Sequence, residues 1–234
     1  MQALDSRADQ LRHQRRSLPE LAEIAALEKS RGELVDQARD AKIVVDDLTV
    51  EQEKIDADVE QVKVRRTRDQ SRMDAGQITN PKDLQRMQEE MVSLERRISH
   101  LEDDELEVME RLEAAQGMLS ALNDQVSQTE QQLEGLVATR DQKLGDLDGQ
   151  LVDVEAQRGP SLEGLPEPLL ALYDKLRASK GGIAAAAVRQ RRCGGCQLGL
   201  DAAEVERIRA AADDDVLRCE ECSRIMVRTA ESGL

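Results

Sequence analysis

Apolar residues recur at alternating steps of three and four positions along the middle of the chain. From Leu84 to Leu136 these steps meet apolar side chains everywhere except at Glu105 and Thr129. A 3.5-residue period keeps the apolar seam facing one partner while two helices supercoil around each other. The pattern therefore predicts a coiled-coil helix.

A weaker version of the same seam precedes this segment and supplies the natural partner helix. Between the two, Gly76 is placed to end the first helix in a left-handed conformation, and Asn80 and Pro81 are placed to cap and open the second. We therefore predict a long antiparallel coiled-coil hairpin over residues 1–158, with its tip at residues 74–83.

Proline and glycine punctuate the chain beyond the hairpin. Residues 159–182 read as a linker and a short helix that proline begins. Residues 183–234 read as a small domain, with short strands at 183–188 and 225–229 and a helix at 201–212 capped by Asp201. The predicted fold class is mainly α: a coiled-coil hairpin followed by a small C-terminal domain with short β-strands.

All four cysteines lie in this last segment, as two Cys-x-x-Cys pairs: Cys193 with Cys196, and Cys219 with Cys222. Each pair can offer two thiolates from a tight turn, and four soft sulfur ligands suit a tetrahedral zinc ion with no open position. We therefore predict a structural zinc ribbon at residues 183–234. Thiol redox chemistry is the alternative, but nothing here supplies its usual βαβ setting.

Composition narrows the function further. The chain has no Phe, no Trp and a single Tyr, which we interpret as a core residue, and its net charge is −15. Such an acidic surface disfavours bulk binding to phosphate backbones or anionic lipid. No stretch approaches the roughly 20 apolar residues that cross a bilayer, and the start lacks a secretory apolar run, so we expect a cytoplasmic protein without a membrane partner.

Two groups of basic residues are candidate contacts for a partner protein or for nucleic acid. The first precedes the hairpin tip and is made of Lys63, Arg65, Arg66, Arg68 and Arg72. Its alternative interpretation is a solvated helix face that balances nearby carboxylates. The second group precedes the first cysteine and is made of Arg189, Arg191 and Arg192.

The layout resembles a bacterial family of coiled-coil proteins with a C-terminal four-cysteine zinc ribbon, often catalogued as nucleic-acid-binding proteins. The resemblance covers essentially the whole chain and is carried by the tip residues 76–84, by Leu172-Tyr173 and by the two cysteine pairs. It implies the hairpin fold and zinc on those four cysteines. It also implies a role like that of members that resemble flagellar regulators and contact the nitrogen-type alternative sigma factor. This chain departs from the usual knuckle pattern at Gln197 and Ser223, where zinc knuckles often carry glycine.

We expect a non-enzymatic adaptor whose partner is a protein, such as a sigma factor or another transcription component. Direct nucleic-acid binding through the ribbon is the alternative, although the stacking aromatics of single-strand binders are missing. A third hypothesis, by fold analogy alone, is a hairpin that enters the secondary channel of RNA polymerase. We expect no small-molecule substrate, because the sequence shows no phosphate-binding glycine loop and no recognisable pairing of nucleophile and base.

Overall fold

A computed structural model describes all 234 residues and confirms the predicted fold class. It is mainly helical, with two long antiparallel helices and three short strands near the C-terminus. The elements, in chain order, are α1 (Gln2–Arg16), α2 (Pro19–Asp74), α3 (Pro81–Arg158), a 3₁₀ turn (Pro160–Leu162), α4 (Glu167–Ser179), β1 (Ala185–Arg189), β2 (Arg192–Cys193), α5 (Ala202–Ala210) and β3 (Ile225–Val227). No helix combines the length and the apolar character that a membrane span requires.

The chain packs as two compact units, which we describe separately. The hairpin unit comprises residues 23–136. The ribbon unit joins residues 1–22 to residues 137–234, so it takes in the first helix as well as the cysteines. The boundaries predicted after residues 158 and 182 divide the chain by sequence motif, and they stay a prediction.

The hairpin unit is held by the predicted seam. Leu48, Val108 and Leu112 form one buried cluster across α2 and α3. At the tip, Gly76 adopts a left-handed φ of 63°, and the Asn80 Oδ1 atom accepts a hydrogen bond of 3.0 Å from the Lys82 N–H. Gly76 therefore ends α2 and Asn80 caps the start of α3, as the sequence predicted.

A break that we did not predict separates α1 from α2. α1 ends at Arg16, where the Ser17 N–H and hydroxyl both donate to the His13 carbonyl. α2 then begins at Pro19, which lacks an N–H and is tolerated in the first turn of a helix but not in its interior. The first predicted hairpin helix is thus two helices in this structure.

One buried carboxylate joins the helices of the ribbon unit. Asp5 is only 2% exposed, and its two oxygens accept hydrogen bonds of 2.7 Å from Arg158 Nε and from the Tyr173 hydroxyl. Arg177 adds its charge at 3.9 Å from Asp5 and donates to Asp9. Tyr173 is 1% exposed, which confirms its interpretation as a core residue. Helices α1, α3 and α4 therefore meet around a polar centre in which both oxygens of Asp5 are hydrogen-bonded, although the buried Nε atom of Arg177 has no partner.

The first helix also binds the ribbon sheet directly. The Gln2 Oε1 atom accepts hydrogen bonds from the N–H groups of Ala184 and Ala185, and its Nε2 atom donates to the Gly182 carbonyl. β1 lies at the centre of the sheet, antiparallel to β2 and parallel to β3. The side chain of Gln2 thus holds the chain where it enters the central strand.

The strands and the last helix differ from their predicted limits. β1 runs over Ala185–Arg189 and thus begins two residues later than predicted, after a turn in which Gly181 and Gly182 have left-handed φ angles of 68° and 85°. β3 ends at Val227, and the guanidinium of the next residue, Arg228, donates to the Ile208 and Ala211 carbonyls at the end of α5. α5 itself is shorter than predicted, but Asp201 caps it as expected, accepting a 2.7 Å hydrogen bond from the Glu204 N–H.

The two cysteine pairs sit on turns with the same hydrogen bonds, and we call these turns the first knuckle (residues 193–196) and the second knuckle (residues 219–222). In each turn the residue after the second cysteine donates its N–H to the carbonyl of the first cysteine, at 2.8 Å for both Gln197 and Ser223. These two residues have left-handed φ angles of 66° and 62°, a conformation that costs an L-residue about 1–2 kcal/mol. Glycine is common at this place in zinc knuckles because it avoids that cost.

Replacing Asp5 with Asn should destabilise the ribbon unit by about 2 kcal/mol, because Arg158 and Tyr173 would lose their charged hydrogen-bond acceptor. Burial raises the pKa of Asp5, but hydrogen bonds from Tyr173 and Arg158 and the charges of Arg177 and Arg158 outweigh it and hold the pKa below its ordinary value. A lowered folded-state pKa adds stability that is complete above about pH 4 and is lost as the pH falls through that pKa. Thermal unfolding between pH 7 and pH 3 measures both effects.

The matched control for this experiment is Asp174→Asn, since Asp174 is exposed on α4 and has no ion pair. It should leave both the melting temperature and its acid dependence unchanged. Equal behaviour of the two variants would contradict the role given to Asp5.

Replacing Ser223 with Gly should stabilise the ribbon by about 0.5–1 kcal/mol, because glycine adopts the left-handed conformation without a Cβ penalty. Ser223→Ala is the control that separates the backbone from the hydroxyl, and it should give no such gain. Thermal unfolding of the metal-loaded protein measures the difference, and a destabilised glycine variant would show that the turn is not strained.

Candidate metal centre

The four cysteines converge on a single point. Their sulfur atoms all lie within 4.8 Å of one another, with Cys193 Sγ 3.8 Å from Cys222 Sγ and Cys196 Sγ 3.9 Å from Cys219 Sγ. Four sulfurs at about 2.3 Å from one tetrahedral ion would stand about 3.8 Å apart. The cage therefore fits a tetrahedral thiolate-bound metal ion, as the spacing predicted.

Close backbone approach explains the two glycines between Cys193 and Cys196. A Cβ on Gly194 would lie 2.7 Å from the carbonyl oxygen of Ala187, on the neighbouring strand β1. A Cβ on Gly195 would lie 2.6 Å from Cδ of Arg224. The first knuckle can thus pack against β1 only without a side chain at residue 194, whereas a side chain at residue 195 would displace the side chain of Arg224.

The backbone of each knuckle points N–H groups at sulfur. Cys193 receives them from Gly195 and Cys196, and Cys219 receives them from Cys222 and Glu221. Burial nevertheless raises the pKa of Cys193 and raises the pKa of Cys219 to about 12. A dication is the natural source of the charge that keeps such buried thiols deprotonated.

Cys222, which is only partly buried, differs from Cys193 and Cys219. Burial raises its pKa, but hydrogen bonds from the backbone and the side chain of Arg224 outweigh that effect and lower the pKa to about 7. The Arg224 guanidinium also donates to the carbonyls of Ile183 and Lys180, at 2.8 Å and 2.9 Å. One arginine therefore stabilises the second knuckle electrostatically and fastens it to the end of α4.

Glu204 is a supporting residue that the sequence analysis missed. Its side chain is buried, and its Oε1 atom accepts a hydrogen bond of 3.3 Å from the N–H of Glu220, inside the second knuckle. The only sequence signal was the Asp-x-x-Glu pattern that begins with Asp201, which is typical of a helix start. α5 thereby holds the second knuckle in place.

The basic run of the hairpin unit is paired internally. Lys63 lies 2.7 Å from Glu102 and Arg66 lies 2.9 Å from Glu95, while Arg65 contacts Glu90. Arg68 and Arg72 lie 3.2 Å and 4.0 Å from Asp69, which is 3% exposed. Each cation of this run thus has a carboxylate partner, and its role as a contact surface stays a prediction.

The second basic group occupies the turn between β1 and β2. Arg189 and Arg192 pair across a two-residue turn, in which Gln190 and Arg191 have left-handed φ angles of 46° and 57°. Arg189 is 3.3 Å from Glu231, and Arg191 donates to the Gly233 carbonyl, whereas Arg192 has no ion pair. The turn therefore presents exposed guanidinium groups immediately before the first metal ligand.

Two protein families match the chain. Residues 1–181 match the CT398-like coiled coil hairpin domain, and residues 192–226 match the C4-type zinc ribbon domain. An uncharacterized protein of Mycobacterium tuberculosis is 30% identical to this chain, and one of Mycobacterium leprae is 25% identical to it. The first match covers 96% of this chain and 91% of the relative, and the second covers 97% of both.

Solved structures agree with this assignment. A protein from Mycobacterium smegmatis, 32% identical, superimposes with a TM-score of 0.82 over 97% of this chain and 94% of that one. CT398 from Chlamydia trachomatis, 17% identical, shares the fold with a TM-score of 0.67 over 97% of this chain and 94% of its own. The chain therefore belongs to the bacterial family that carries a CT398-like coiled-coil hairpin with a C4-type zinc ribbon.

Proposed function

We propose that the cage holds one zinc ion and that the ion is structural. The donors are four thiolates, the ligand set that selects soft metal ions, and the sulfur spacing matches zinc–sulfur bonds of about 2.3 Å. With four protein ligands in a tetrahedron, no coordination position is left for substrate or water. The ion would then act on the fold by joining two knuckles that are otherwise separate loops.

Replacing Cys196 with Ser should abolish stoichiometric zinc binding and unfold the ribbon cooperatively, because a three-sulfur cage loses both affinity and the link between knuckles. Elemental analysis and circular dichroism measure the two effects. Glu221→Gln is the matched control in the other knuckle, since Glu221 is exposed, and it should keep one zinc per chain. A serine variant with full zinc content would contradict the proposed ligand set.

We further propose that the protein is a non-enzymatic adaptor that binds other proteins through the hairpin and the ribbon. The observation that carries this proposal is the closed four-sulfur cage. An ion held by four cysteines would stabilise the surface of the ribbon but would have no free coordination position for a substrate. A sigma factor or another transcription component is the partner class that the family resemblance suggests. A cytoplasmic location belongs to the same proposal.

Direct nucleic-acid binding is the second candidate, and one observation favours it. The two-residue hairpin turn at Gln190 and Arg191 presents the exposed side chains of Arg189 and Arg192 to solvent, where their guanidinium groups can contact phosphate. Against it stands the net charge of −15, which repels phosphate backbones outside this turn.

Affinity capture from the native host with nuclease treatment distinguishes the two candidates. The adaptor proposal expects a protein that stays bound after nuclease treatment and is lost in a Lys63→Gln, Arg66→Gln variant, whose former partners Glu102 and Glu95 are exposed and tolerate the loss. The control, Lys29→Gln with Arg39→Gln, removes two other exposed α2 cations and should retain the partner.

The nucleic-acid candidate expects the opposite pattern. Captured material would disappear with nuclease, and binding would fall steeply with salt and be lost in an Arg189→Gln, Arg192→Gln variant. If no captured protein remained after nuclease treatment, that result would contradict the adaptor proposal.

A further inference from the structure

An apolar groove runs along the ribbon unit between the start of α4 and strand β3. Its volume is 690 Å³, within the range of ligand-binding clefts. Aliphatic side chains make both walls: Pro166, Leu169 and Leu172 on one side, and Val216, Ile225 and Met226 on the other. The groove is separate from the cage, because no cysteine lines it.

The floor of the groove is part of the protein core, whereas its rim is open to solvent. Leu217 and Met226 belong to the buried cluster that surrounds the cage, and Leu172 and Ile225 pack against a second buried cluster that contains Tyr173. Val216, at the rim, keeps 48% of its surface exposed. A ligand would therefore bury apolar area against a rigid base without rearranging the fold.

The charge around the groove is negative. Asp213, Asp214 and Asp215 line it as a consecutive run, and no Lys or Arg is among its lining residues. Arg228 neutralises Asp213 at 3.1 Å, and Asp215 accepts the Ala212 N–H, but Asp214 has no ion pair. At the other end, Glu163 and Glu167 are exposed and adjoin lining residues in sequence.

We propose that this groove binds an amphipathic helical segment of a partner protein. Aliphatic side chains form one face of this segment, and Lys or Arg residues flank that face. The inference rests on the proposed adaptor function and names the chemistry of its partner. Aliphatic anchors at i, i+3 and i+7 fill such grooves, and flanking cations complement the acidic rim. A second copy of this chain is a poor occupant, because each copy carries a net charge of −15.

Apolar and electrostatic contributions have separate signatures. Burial of aliphatic side chains governs how long the complex persists, whereas the acidic rim governs the association rate and its salt dependence. A peptide with cations but no aliphatic residues should therefore associate weakly and only at low salt.

Fluorescence anisotropy on the full-length, metal-loaded protein tests the inference with three labelled peptides of equal length. The first combines Leu and Lys in an amphipathic helical pattern, the second replaces Leu with Ser, and the third replaces Lys with Glu. We expect saturable one-to-one binding of the Leu/Lys peptide, about tenfold weaker binding of the Ser/Lys peptide and none of the Leu/Glu peptide.

Protein variants locate the site. Leu169→Ser with Val216→Ser should weaken binding of the Leu/Lys peptide about tenfold, because one aliphatic side chain is lost from each wall of the groove. Leu21→Ser with Val152→Ser, two exposed aliphatic residues of the same unit outside the groove, should leave binding unchanged. Asp214→Asn with Glu167→Gln should weaken binding at low salt and flatten its salt dependence. Zinc content and thermal unfolding verify that each variant is folded.

Equal binding of the Leu/Lys and Ser/Lys peptides would overturn the inference, since attraction to the acidic chain as a whole would then suffice. Full binding by the groove variant would overturn it as well. The adaptor function fails by a different result, namely nuclease-treated capture that retains no host protein while the peptide still requires Leu169 and Val216.

Discussion

Convergence of four sulfur atoms on one point is the constraint on which the ribbon depends. Residues 193–196 and 219–222 are separated in sequence, and each is a short turn with little to bury. The core around them is small and contains no aromatic ring: Val188, Ile208, Leu217 and Met226 supply most of it. A core of this size rarely stabilises a small domain alone, so the proposed zinc ion would supply the missing link between the two cysteine pairs.

The N-terminal helix is the second support of the ribbon unit. Gln2 satisfies two N–H groups at the start of the central strand, and Asp5 gathers Arg158 and Tyr173 into a buried hydrogen-bonded centre. Residues from both ends of the chain thus complete one compact unit. Such an arrangement gives the groove beside α4 and the cage a common rigid base, which suits a protein whose proposed role is to present surfaces to partners.

The sequence revealed the features that follow a local rule. The 3.5-residue seam, the caps at Gly76 and Asn80 and the paired cysteines each follow from spacing and side-chain chemistry, and the structure contains all three. The missed features depend on contacts between distant segments. Gln2 and Glu204 look like ordinary helix residues, and their roles appear only when β1 and the second knuckle lie beside them. The break before Pro19 was an exception, because proline gives a local signal that the apolar pattern obscured.

Zinc K-edge X-ray absorption of the protein purified without added metal tests the central claim most directly. The account predicts one zinc per chain, a first shell of four sulfur atoms at about 2.3 Å and no oxygen or nitrogen neighbour. A shell with fewer sulfurs and a light-atom ligand would show an open metal site, and protein that is folded without any metal would show that the cage does not hold the ribbon together.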